Sequence, residues 1–285
     1  MRKTKSMPET PDRHSARYFA SLYSPPSGRA VLEALFGIES EIAASLHSGL
    51  DHSVAHIRLH WWREECERVV SRRSVHPLTQ TLVIALGAEP RVTAQLAGLS
   101  GFVDVAVWDL ANATFGTGRE LTAYCERWAA AMVIPVAVHG APDMTDSQHW
   151  LALGAALRES EMLANLDSEA HSGRLRLPLD EIEAAGVAPE DLGVTPWPAQ
   201  VAALVARRHE ALRSVLASAV AALERRDQPA LRGLLVWAAL AARRSIRAQR
   251  SLPKCRLPQR SDALADGWLA WRAARRALAE NFRLT

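Results

Sequence analysis

Apolar residues recur at three- and four-residue spacing along almost the whole chain, and no stretch alternates apolar with polar residues over the length of a strand. Asn-Gly and Gly-Gly turns, which would close hairpins, are absent. That pattern restricts the chain to helix packed on helix, an all-α fold. Prolines and glycines divide it into helical segments at about Gly28 to His47, Ser53 to Arg72, Pro90 to Thr114, Arg119 to His139 and Thr145 to Ser168. Residues 172–198, with Pro178, Pro189, Pro196 and Pro198, read as a loop holding one short helix. Helices follow at about Ala199 to Arg225, Ala230 to Arg250 and Asp262 to Phe282. No repeat and no linker composition interrupts the series, so residues 14–285 are expected to form one domain behind a flexible tail of residues 1–13.

A chain of 285 residues, 48% hydrophobic and 23% charged, can bury a large core, which excludes wholesale disorder. It has no charge-free apolar run of about 18 residues, so no transmembrane helix is expected. The start, MRKTKSMPETPDRHSARYF, lacks the apolar stretch of a secretory signal. Cys66, Cys125 and Cys255 stand far apart without a Cys-x-x-Cys pair, which argues against a disulfide framework or a zinc ribbon and for a reducing cytoplasm. Of the 34 strong cations, all but Lys3, Lys5 and Lys254 are arginines, side chains suited to carboxylates and phosphates. A net charge of +3 is too small to imply a nucleic-acid partner.

Three blocks, in order, resemble the squalene/phytoene synthase family. The first is LEALFGIESEIAASLH followed by LHWWREECERV and HPLTQTL; the second is VWDLANATFGTGRELTAYCERWAAAMV. The third, LALGAALRESEMLANLDSEAHSGRLRLPLDEIEAAGVAPEDL, carries a Gly-x-Ala helix and a Gly-Arg-x-x-Leu-Pro turn. Together they cover roughly residues 16–195. The resemblance implies the isoprenoid synthase fold, a helical bundle around a central cavity. In an active relative it also implies condensation of two farnesyl or geranylgeranyl diphosphates. There, aspartates on two facing helices hold Mg²⁺, which neutralises the leaving diphosphate.

This chain departs from that pattern where the metal should sit. The first set of aspartate positions falls on Ala43, Ala44 and His47, and the preceding arginine becomes Ser40. In the second, the glutamine position is Arg158, the asparagine position Glu161, the arginine position Ala164, and the aspartates become Asn165 and Glu169. Glu39, Glu41 and Asp167 lie nearby, but a two-residue offset turns a side chain about 200° from the motif face. The expectation is therefore no resident metal and no confident catalytic residue. The lost aspartates also resemble a non-catalytic branch of the family that includes a mitochondrial respiratory complex I assembly factor, which implies a protein partner. The alternative is an active head-to-head prenyltransferase with Mg²⁺ on relocated carboxylates, Glu39, Glu41, Glu161 and Glu169. Inward-facing pairs on both helices would be its signature.

The remaining family residues, among them Trp62, Arg63, Glu64, Glu65, Asp109, Tyr124, Cys125, Glu126, Gly173, Leu177 and Pro178, read as scaffold. A second reading keeps an anion pocket for a prenyl diphosphate, with Arg158, Glu161, Arg174 and Tyr124 as its contacts. His52, His56 and His60 follow Asp51 at four-residue spacing, better explained as a polar helix face than as a metal site, since no partner motif such as His-Glu-x-x-His exists. Cys125 reads as a core residue, and no Gly-x-Ser-x-Gly elbow, P-loop or Gly-x-Gly-x-x-Gly is present. The last helix spaces Leu264, Trp268, Trp271, Ala274 and Leu278 beside Arg272, Arg275 and Arg276. It reads either as the closing helix of the bundle or as a peripheral contact with an anionic membrane.

Overall fold

A computed structural model describes residues 14–46, 51–87, 96–141, 147–254 and 263–284. The sequence-predicted tail and His47 lie outside the described residues. Among those described there is no strand. The helices are α1 (Ala16–Tyr23), α2 (Pro26–Ala43), α3 (His52–Val70), α4 (Pro77–Leu86), α5 (Gly101–Leu110) and α6 (Gly118–Gly140). They continue with α7 (Gln148–Ala164), α8 (Leu166–His171), α9 (Leu179–Ala184), α10 (Ala199–Ala221), α11 (Arg232–Ser251) and α12 (Ala263–Leu278).

Helix α6 is the axis of the bundle. Trp128, Ala129, Ala131, Met132, Val133 and Ala137 on it are wholly buried, and α2, α5 and α7 pack around it. This helix is long and apolar enough to cross a membrane, yet 72% of its apolar window lies inside the bundle, as befits a core helix. Gly154 lets α7 approach it closely, because a Cβ there would come within 2.5 Å of the Ala129 methyl group. On the far side α7 meets α10 and α11, and α11 is covered by α1 and α12.

Polar groups fix the joints. Glu65 on α3 is fully buried and accepts hydrogen bonds from the amides of Val75 and His76 at 2.9 Å each, and from Thr79 Oγ1 and Arg68 Nε. It thereby anchors the turn into α4, whose first residue is Pro77. Burial alone would raise the Glu65 pKa, but these donors bring it below its ordinary value. Arg63 pairs with Asp104 of α5 at 2.7 Å. The scaffold reading of this block therefore has a physical basis.

Candidate functional site

Ser15 caps α1, its hydroxyl accepting from the Tyr18 amide at 3.0 Å, so that Arg17 falls in the first turn. A cation there opposes the helix dipole and needs compensation. Two acids on facing helices supply it. Glu39 of α2 accepts from both terminal nitrogens of Arg17, and Glu161 of α7 accepts from Nε at 2.7 Å and Nη2 at 2.6 Å. The guanidinium thus lies between two carboxylates from opposite helices. Beneath it are the rings of Phe36, Trp128 and Trp237, with centroids 5.3–5.6 Å away. Burial works against the Arg17 charge, but Glu161 and Glu39 outweigh it and raise the pKa. Burial would likewise raise Glu39, whereas Arg17 and Arg158 hold it below its ordinary value.

Arg158 joins this pair to a second one. Its Nη1 lies 3.7 Å from Glu39 and 3.6 Å from Glu161, and its Nη2 donates to the Tyr124 hydroxyl at 3.0 Å. Tyr124 and Trp128, one turn apart on α6, both face the Arg158 guanidinium. The Tyr124 hydroxyl in turn donates to Asp109 of α5 at 3.1–3.2 Å, and burial pushes its pKa up to about 12. Asp109 is also held by Arg176 at 2.7 Å, and Arg176 Nε donates to Glu169 at 3.1 Å. Arg174 completes the chain with a 4.0 Å approach to Glu169. Arg17, Arg158, Arg176 and Arg174 are therefore matched by Glu39, Glu161, Asp109 and Glu169.

This network walls a cavity of about 580 Å³. The N-terminus of α1, the C-terminal half of α7 and the segment to Arg176 form one side; His209, Trp237, Arg244 and Ser245 from α10 and α11 form the other. Its size falls within the usual range of small-molecule sites. His209 Nδ1 lies 3.1 Å from Ser245 Oγ, and burial, aided by Arg213, lowers the imidazole pKa to about 4.

Several sequence-predicted residues meet here. Arg158, Glu161, Asn165, Glu169 and Arg174 line the cavity, and Tyr124 supports it from behind. Ala43 is exposed at the end of α2, Ala44 is half-buried in the following turn, and neither reaches the cavity. The expectation that Glu39 turns away is corrected. It sits four residues before Ala43, one helical turn back on the same face, and points inward. Sequence reasoning missed Arg17, Arg176 and the Trp128 Nε1 donor to Glu39 at 2.7 Å. Arg176 had a signal, a second cation two residues after Arg174 in the Gly-Arg-x-x-Leu-Pro block; Arg17 had none beyond its place two residues after a capping serine.

The donor set does not fit Mg²⁺. Each acid at the cavity wall has an arginine against it, the alanines offer no oxygen, and among the described residues no group of three or more His, Cys, Asp or Glu side chains could hold a metal. The His52, His56 and His60 stripe is exposed on α3, consistent with a polar face. Cys125 is buried, and burial pushes its thiol up to about 12, so it is no nucleophile at neutral pH.

The family model for squalene/phytoene synthase matches residues 11–261, most of the chain. The chain belongs to the squalene/phytoene synthase family. A curated phytoene synthase of Arthrospira platensis is 26% identical over 148 residues, a match that covers 46% of each chain, so this chain spans less than half of that relative's length. Among solved structures, a dehydrosqualene synthase superimposes with a TM-score of 0.73 at 15% identity, covering 91% of this chain and 90% of its own. The squalene synthase HpnC from Alicyclobacillus acidocaldarius gives 0.64 at 16% identity, covering 81% and 87%. At those identities the likeness establishes the fold, the all-α isoprenoid synthase bundle.

Proposed function

We propose that this protein is a family member without prenyl transfer activity, acting as a binding or assembly protein on the family's scaffold. The observation that carries the reading is Arg17. Its guanidinium bridges Glu39 and Glu161, one inward-facing acid from each of two facing helices, where a relocated metal site would need a free pair on each. A tethered cation there supplies one positive charge and no open coordination position for a diphosphate oxygen. Ionising an allylic diphosphate requires neutralising the leaving group, and arginines already committed to carboxylates do that poorly. The missing aspartates at Ala43 and Ala44, which resemble those of the non-catalytic branch, support an assembly role with a protein partner over turnover of a prenyl diphosphate.

The cavity retains Arg174 and Arg244 at its wall, so weak, metal-independent binding of an anionic headgroup is compatible with this role. The test is diphosphate release from farnesyl and geranylgeranyl diphosphate, with and without Mg²⁺, alongside direct binding of both. No release under either condition is expected, and any binding should be indifferent to Mg²⁺. Mg²⁺-dependent release would overturn the reading and restore the active prenyltransferase.

A further inference from the structure

A second arginine-walled feature lies across the bundle, between α11 and α12. A groove of about 330 Å³ is lined by Arg243, Arg247, Arg250, Arg272, Arg276 and Arg283, and no acidic side chain lines it. Leu269, Ile246 and Phe282 supply apolar surface between the cations. Arg243 lies 3.3 Å from Asp266, which is buried at the base of α12 and also holds Arg244. Among the described residues no carboxylate pairs with Arg247, Arg250, Arg276 or Arg283, and Arg272 is stacked over Trp268 at 4.6 Å.

The neighbouring face of α12 is apolar and open. Leu264 is 88% exposed, Trp268 55%, Trp271 49% and Leu278 52%. Their spacing of four, three and seven residues keeps them on one stripe. The helix does not need this stripe for packing, because Ala270, Ala273, Ala274 and Ala277 make its contact with the bundle. Two tryptophans and two leucines left in water beside unpaired arginines form an unusual surface for a monomer. The combination has a specific complement. Guanidinium forks take phosphate oxygens bidentately, and indole rings settle at the boundary between headgroups and acyl chains.

We propose that the α11–α12 face docks on an anionic membrane surface, with lipid phosphates in the arginine groove and Trp268 and Trp271 at headgroup level. The bundle then rests on the bilayer through α12. This inference is independent of whether the central cavity turns over a diphosphate.

The test is co-sedimentation of the full chain with vesicles of phosphatidylcholine alone or mixed with phosphatidylglycerol. The wild type should bind the mixed vesicles, weaken as salt is raised, and leave pure phosphatidylcholine largely unbound. R272Q/R276Q should lower affinity for the mixed vesicles by about tenfold or more, and W268S/W271S should lower it too. Both variants alter exposed or half-exposed positions, and unchanged thermal melting verifies that they fold. Failure to bind mixed vesicles, equal binding to both compositions, or full binding by both double variants overturns the proposal. So does a concentration-dependent dimer that W268S/W271S abolishes, since a second copy would then own the face.

Discussion

At the N-terminal end of α1, Arg17, Arg158 and Arg176 each meet a carboxylate, whereas between α11 and α12 Arg247, Arg250, Arg276 and Arg283 meet none among the described residues. The first set sits on aromatic rings or buried acids inside the bundle, where an unpaired charge would carry a desolvation cost of several kcal/mol. The second set is open to water, where an unpaired guanidinium costs little. The same residue type therefore does two jobs. Inside, it neutralises carboxylates at the cavity wall; outside, it leaves its positive charge on the surface.

The sharpest way to break this contrast is Arg17→Ala. Removing the bridging cation leaves Glu39 and Glu161 with Arg158 still 3.6–3.7 Å from both, and a loss of about 3 kcal/mol is expected in denaturant titrations. Divalent cations should recover part of that stability in the variant and none in the wild type. Failure of any cation to help would mean that the two acids are not arranged as a pair.

His209 gives the next effect, through pH. Its folded-state pKa of about 4 is below the ordinary 6.5, so the unfolded chain binds more protons between those values. Stability from this residue is complete above about 6.5 and is lost as pH falls towards 4, by roughly 3 kcal/mol. His209→Gln should flatten that part of the stability–pH curve, read from thermal melts across the range.

Tyr124→Phe removes the hydroxyl linking Arg158 to Asp109 while Arg176 still holds Asp109, and a cost of about 1–2 kcal/mol is expected by chemical denaturation. The smallest change belongs to the outer groove. R272Q/R276Q should move stability by no more than about 0.5 kcal/mol, even as vesicle binding falls. A large loss would show that the groove arginines are structural after all.

The fold was legible because helix periodicity survives where packing demands it. Ser53 to Arg72 was expected and α3 spans His52–Val70; Arg119 to His139 was expected and α6 spans Gly118–Gly140. Short helices were harder. The eight residues of α1 and the ten of α4 are too brief for a clear period and are held by capping, from Ser15 and His76 respectively. The helix read from Thr145 to Ser168 is broken at Asn165, which joins α7 to α8. At the site, the loss of the aspartates could be read directly from Ala43 and Ala44. The replacement could not, because Arg17 and Glu161 are 144 residues apart and only the packed bundle brings them together.

The central claim, that the facing acids are occupied by a tethered cation, is tested most directly by calorimetric titration of Mg²⁺ into the wild-type protein. The account predicts no saturable uptake of metal. Saturable binding of Mg²⁺ that Glu161→Gln abolishes would contradict it, because that carboxylate would then be holding a metal and not Arg17.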